Sequence, residues 1–214
     1  MALEQLRSPT LAETAAQALR EAIVSGALKP GKRLVEQKLA HSLGTSQPTV
    51  REALKELQNQ GYVHKVAKKG TYVTQLSQED AAKIHEIRLL LEAFAIERAA
   101  PNVTTQTLQS LGLQVSEMAA AAEEVDRERF HAADMRFHRE IWALTDNKYL
   151  TKALEQVTFS LFAFMLLTQN RESFLAAVEH HQLILEGLAT KDPEQAREAF
   201  LKITANYWRV LLPV

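Results

Sequence analysis

The chain has no cysteine among its 214 residues. That excludes disulfides, thiol catalysis and every Cys-ligated zinc or iron–sulfur site. Glycine and proline are scarce, at seven and six residues, which leaves little room for long loops or collagen-like segments. No apolar run approaches the roughly 18 residues of a membrane-spanning helix. The longest candidate, Phe159–Leu167, is interrupted by Ser160. The opening MALEQLRSPTLAE lacks the apolar core of a secretory signal, so a cytoplasmic location is expected, with no membrane partner. Large net charge is also missing, the formal value being −1.

That small value conceals an asymmetry. Through Ser77 there are 11 Lys and Arg against six Glu, and from Gln78 onward 14 Lys and Arg against 20 Asp and Glu. A basic front and an acidic back suggest two domains with different partners, the front suited to a polyanion. The boundary is expected between residues 76 and 77.

In the front part, Leu11, Ala15, Ala18, Leu19, Ala22 and Ile23 recur at three- and four-residue spacing, which predicts a helix over Thr10–Ser25. A second helix is expected over Val35–Leu43, ended by Gly44. Ser46 suits an N-cap, and Pro48 falls in the first turn of a third helix, Gln47–Gln60, with Val50, Ala53, Leu54 and Leu57 inward. Two β-prone runs, 62–66 and 71–74, flank Ala67-Lys68-Lys69-Gly70 and predict a hairpin. Behind it, six helices are expected: Glu79–Ala100, Thr104–Val125, Arg127–Thr145, Lys148–Asn170, Ser173–Lys191 and Pro193–Leu212. Short breaks between long helices make antiparallel neighbours. The fold class is therefore mainly α: an N-terminal winged helix-turn-helix plus a C-terminal antiparallel all-α bundle.

A helix fits the major groove of B-DNA, and its first residues meet base edges. Ser46, Gln47 and Thr49 lie at the exposed start of the third helix, with Arg51 beyond. Gln can pair with adenine in a bidentate way, and Thr can touch a thymine methyl or a phosphate. Arg51 can neutralise a phosphate or read guanine. Lys68 and Lys69 at the hairpin tip suit the DNA backbone or the adjacent minor groove, though such a pair also occurs in solvated turns. Three short helices with a Gly turn occur in proteins that bind no DNA as well.

Gly26-Ala27-Leu28-Lys29-Pro30-Gly31-Lys32-Arg33-Leu34, then Leu39 to Leu54 with the run Gly44-Thr45-Ser46-Gln47-Pro48-Thr49-Val50-Arg51-Glu52-Ala53-Leu54, and Leu57 with Gly61, resemble the winged-helix domain of GntR-type bacterial transcription regulators. The resemblance implies double-stranded operator DNA as a partner and matches Arg51 to a DNA contact. Gln47, and at times Gln37, stand where the family often carries a contacting Arg.

The back part is similar to the all-helical FCD ligand domain of the FadR branch of that family. The segments that carry the likeness are Ile84–Glu92, Asp134-Met135-Arg136-Phe137-His138, Asn147-Lys148-Tyr149-Leu150, Glu179–Leu188 and Asp192–Arg197. Six helices make it similar to the VanR subgroup. Many such domains hold a divalent metal through an Asp, a His four residues on, and two further His. The resemblance assigns Asp134, His138 and His181 to that set. Residues i and i+4 share a helix face, and His with carboxylate suits Zn, Ni or Mn. The fourth His maps to Ile203, with His131 and Asn206 as substitutes. His180 is expected at the surface. Arg88 resembles the pocket Arg that anchors a carboxylate effector, or else pairs with Glu92 on the helix surface. Phe137, Trp142, Phe159, Phe162, Phe164 and Met165 either wall a pocket or fill plain core.

The expected function is a dimeric, ligand-responsive transcriptional regulator, a repressor in the commoner family pattern, sensing a small organic acid. The alternatives are a metal-dependent helical-bundle enzyme and a non-DNA adaptor. Against the enzyme stands the lack of an evident nucleophile or poised acid–base pair.

Overall fold

The computed structural model describes the backbone of residues 9–168 and 170–211, and the side chains of those residues other than 159–160, 162–168 and 205–211. Two compact units form, residues 1–75 and 76–214.

In the first unit, helix α1 (Leu11–Val24) starts at Thr10, whose hydroxyl accepts from the Glu13 amide while the Glu13 carboxylate accepts from the Thr10 amide at 2.6 Å. This reciprocal pairing satisfies two amides that the helix leaves open. Helix α1 buries Ala15, Ala16, Leu19 and Ile23. Two further helices follow, α2 (Glu36–Ser42) and α3 (Gln47–Asn59), and α3 packs against both others. Between them Gly44 has φ +62° with no heavy atom near its missing Cβ. A side chain there would be strained by the backbone alone, not by crowding. The Ser46 hydroxyl accepts from the Thr49 amide at 3.3 Å, and Pro48 lies in the first turn. The apolar face of α3 (Val50, Ala53, Leu54 and Leu57) is buried.

Three strands complete the unit: β1 (Arg33–Leu34), β2 (Val63–Val66) and β3 (Gly70–Val73). β3 is central and antiparallel to both neighbours, with Val63 opposite Val73, Val66 opposite Gly70, and Arg33 opposite Tyr72. The hairpin matches expectation. Strand β1 was not expected, because two residues are too few to display alternation.

The second unit contains α4 (Gln78–Ala99), a 3-10 turn at 100–102, α5 (Thr105–Glu124), α6 (Arg127–Ala143), α7 (Lys148–Thr168), α8 (Arg171–Ala189) and α9 (Pro193–Leu211). The expected helices are present with ends shifted by at most two residues, except that Leu212, an expected end, lies outside the described residues. Side chains of Ser77, Thr104, Asp126 and Asn170 each accept from an amide of the first turn they precede, so the helix starts are written locally. Helix α5 packs on α6 and α8, α8 also on α9, and α4 on α6, α7 and α9. Phe137 and Trp142 are fully buried. Truncating either to Ala would cost about 3–5 kcal/mol. At Gly187 on α8, an added Cβ would lie 3.3 Å from the Cβ of Ala199 on α9, so the two helices meet at a contact that only a small residue allows.

Candidate functional site

Two surfaces carry chemistry, one in each unit. In the first, the start of α3 is open. Ser46 and Gln47 are exposed, Thr49 is half-buried, and Arg51 is exposed on the next turn. The Ser46 and Thr49 hydroxyls stand 2.8 Å apart. The carboxylate of Glu36, the first residue of α2, accepts from Arg51 Nε at 3.2 Å and from Nη2 at 2.7 Å. Nothing in the sequence pairs two residues 15 positions apart on different helices. Lys68 and Lys69 are exposed in the β2–β3 turn, and Lys68 has φ +62°.

In the second unit, buried polar groups from α4, α6 and α8 converge. Asp134 and His138 share the inner face of α6, and His181 faces them from α8. His181 Nε2 lies 2.7 Å from Asp134 Oδ1, and His138 Nε2 lies 3.8 Å from the same atom. The two Nε2 atoms are 3.2 Å apart. His181 Nδ1 donates to the Ala177 carbonyl at 2.6 Å. His138 Nδ1 faces the Glu92 carboxylate at 3.3 Å. Both Nε2 atoms thereby face the Asp134 carboxylate.

Helix α4 closes this centre with one face. Arg88 Nε donates to Glu92 Oε1 at 3.3 Å, and Arg88 Nη2 donates to His138 Nε2 at 3.3 Å. Trp142 Nε1 donates to Glu92 Oε2 at 3.3 Å. The Arg88–Glu92 pair expected as one alternative is therefore real but inside the protein, with side chains 11% and 1% exposed.

The electrostatics follow from burial and neighbours. Burial alone would raise Glu92, but His138, then Arg88 and the Trp142 N–H, outweigh it and hold the carboxyl at about 2. Asp134 is opposed by burial in the same way and is held low by His181, His138 and His131. Burial, helped by Arg88, pulls His85 down to about 4. His180 is also lowered, first by burial and then by the charges of His181, Arg88 and His138. His85 and His180 are thus neutral near pH 7.

The donor set suits a divalent ion. Two ligands about 2.0–2.1 Å from a tetrahedral ion stand about 3.3 Å apart, and the three separations here, 2.7, 3.2 and 3.8 Å, bracket that value. His181 has its other nitrogen held by the Ala177 carbonyl, the usual support for a metal-binding His, and His138 Nδ1 lies 3.3 Å from the Glu92 carboxylate. Lone pairs on His181 Nε2 and Asp134 Oδ1 at 2.7 Å also require a cation between them, a proton or a metal ion.

Asp134, His138, His181 and Arg88 are brought together as the sequence suggested. Ile203 is half-buried on α9 and offers no ligand. His131 acts on Asp134 as a nearby charge. The side chains of Asn206, Phe159, Phe162, Phe164 and Met165 lie outside the described residues, while Phe137 and Trp142 are core. One expectation is corrected: His180 is buried, 7% exposed, with Nε2 3.0 Å from Thr204 Oγ1. Helix α8 lies between α5 and α9, so it buries a face wider than a single stripe. Trp142 was named as a pocket wall or core, while Glu92, named as a surface partner of Arg88, and His85 were not expected beside the centre. Their signal is spacing, since His85, Arg88 and Glu92 stand three, four and seven apart on α4 and fall on one face.

No described helix is long and apolar enough to cross a membrane. Residues 11–73 match the gntR family of bacterial regulatory proteins, and residues 83–206 match the FCD domain. A probable D-xylose utilization operon transcriptional repressor of Paenarthrobacter nicotinovorans is 32% identical over 86% of this chain and 81% of its own length. The gluconate operon transcriptional repressor of Bacillus subtilis is 28% identical, covering 81% of this chain and 74% of its own. Among solved structures, McbR/YncC of E. coli superposes with a TM-score of 0.71 at 26% identity, over 95% of this chain and 98% of that one. The chain belongs to the gntR family of bacterial regulatory proteins and is a DNA-binding transcriptional regulator with an FCD domain, not an enzyme.

Proposed function

We propose that the chain is a repressor released from its operator by a small carboxylate bound in the helical unit. Residues 1–76 would dock on duplex DNA and residues 77–214 would bind effector and pair two copies. Ser46, Gln47, Thr49 and Arg51 enter the major groove, and Lys68 and Lys69 meet the backbone. Two copies place two recognition helices about one DNA turn apart on a pseudo-palindrome. Such a regulator works in the cytoplasm, where its DNA is.

The observation that carries the effector reading is the Arg88 guanidinium, 11% exposed, at the edge of a ligand-grade Asp–His–His set. A buried guanidinium recognises a carboxylate through two parallel N–H bonds. Asp134, His138 and His181 would hold a divalent ion, which would offer the carboxylate a Lewis-acid position. His85 and His180, both neutral, supply donors and acceptors to hydroxyl groups. Gluconate, named in a relative at 28% identity, is a hydroxylated carboxylate and the first compound to test. The effector changes DNA affinity only by as much as it distinguishes the two states of the protein.

The test is a thermal-shift screen of organic acids with and without divalent cations, followed by gel retardation of the upstream region at stated salt. A ligand that binds only the folded state raises its stability. An acid that raises the midpoint and weakens retardation supports the proposal. Acids that leave both unchanged count against it.

A further inference from the structure

From the contacts of Arg51, we infer that Glu36 is a specificity-determining positioning residue: it holds the Arg51 guanidinium as a guanine-reading fork, not as a phosphate counter-charge. The inference rests on the DNA-binding reading above.

The Glu36 carboxylate takes one side of the guanidinium. Its Oε1 and Oε2 each accept from Nε at 3.2 Å, and Oε2 accepts from Nη2 at 2.7 Å. The grip fixes the plane of a group that is otherwise solvent-facing, 62% exposed against 33% for Glu36. The opposite edge, Nη1 with the outer N–H of Nη2, points away from Glu36. That edge has the two parallel donors that O6 and N7 of guanine accept in the major groove.

Charge separates the two roles. A phosphate brought to Arg51 also meets the Glu36 carboxylate, and the ion pair is neutral as a unit. It therefore releases few counterions on docking. The charge of Glu52 also acts on Arg51, which disfavours a phosphate further. A guanine edge is neutral and gains from an oriented, polarised fork.

The experiment is selection from a random duplex pool with the full chain, followed by competition binding at two salt concentrations. The proteins are the wild type, Arg51→Ala, Glu36→Gln and Glu36→Asp. Wild type should enrich a site containing a guanine whose preference Arg51→Ala abolishes. Glu36→Gln should relax that preference by about tenfold, within the range of one bidentate contact. It should also steepen the salt dependence by about 0.9 in log K per log salt, because Arg51 then becomes a plain cation. Glu36→Asp keeps the charge but shortens the reach. It should lose preference without changing the slope, and so decides the matter if Glu36→Gln does not fold. Unchanged base preference in both Glu36 variants would overturn the inference. So would Arg51→Ala weakening all duplexes alike with a slope shallower by about 0.9. Wild type that enriches no duplex overturns the DNA-binding reading itself, a different result.

Discussion

His138 Nε2 and His181 Nε2 face each other at 3.2 Å although 43 residues separate them in the chain. The His181 Nδ1 donates to the Ala177 carbonyl, and the His138 Nδ1 faces the Glu92 carboxylate at 3.3 Å. We expect the purified chain to bind zinc or nickel in equilibrium dialysis, and chelators to lower the unfolding midpoint of the loaded protein. His138→Ala and His181→Ala should each abolish stoichiometric binding. Equal metal content in His138→Ala and wild type would defeat the assignment.

Arg88 and Glu92 form a buried pair, and removing one partner leaves the other exposed to a low dielectric. Arg88→Ala should destabilise the helical unit by about 3 kcal/mol, the low end for breaking such a pair, because His138 and Trp142 still face Glu92. Arg88→Lys keeps the charge but loses the planar fork. It should retain most stability while losing the midpoint shift given by carboxylates. Retention of that shift in Arg88→Lys would remove Arg88 from the effector site.

His85 is lowered from its ordinary 6.5 to about 4 by burial and Arg88. Between those values the unfolded chain binds more protons at this position than the folded one, so folding loses stability as pH falls. The loss begins below about 6.5 and levels off below about 4. His85→Gln should flatten that part of the stability profile, measured by urea melts at stepped pH. An unchanged slope would mean that His85 is not the group responsible.

Lys68 sits in the left-handed region at the hairpin tip, where Asn is tolerated well. Lys68→Asn combined with Lys69→Ala should keep the turn and remove two charges. DNA affinity should fall for all sequences, and the salt slope should shrink by about 1.8 if both lysines meet phosphates. A slope equal to that of wild type would place the wing tip away from DNA.

Val125 ends α5 with φ +56° while 45% exposed. A β-branched residue is strained there, at a cost of about 1–3 kcal/mol, part of which Gly returns as chain entropy when unfolded. Val125→Gly should raise the unfolding midpoint of the helical unit by about 2–4 °C, as for a gain near 1 kcal/mol. A lower midpoint would show that the Val125 side chain contributes contacts that outweigh the strain.

Much of this was legible from residues alone. Ser46 announces the start of α3 because a cap acts within one turn, whereas Asn170, expected to end a helix, caps the start of α8. Asp134 and His138 were legible because four residues return to one face. What stayed hidden depends on packing between distant elements. Strand β1 exists only because β3 lies beside it. Glu36 holds Arg51 across 15 residues, and no helical period links α2 to α3. His180 was expected outside because neighbouring residues point apart on a helix, yet α8 is covered from two sides by α5 and α9. Glu92 looked like half of a surface pair, since an i,i+4 spacing says nothing about which face is inward.

Glu92 also changes what an incoming compound must achieve. Arg88 is already engaged by that carboxylate, so entry of the proposed effector would be an exchange of one anion for another. An uncharged compound has nothing to trade for the existing contact, whereas the carboxylate effector proposed above would. On that reading, charge more than shape would decide which compound is accepted.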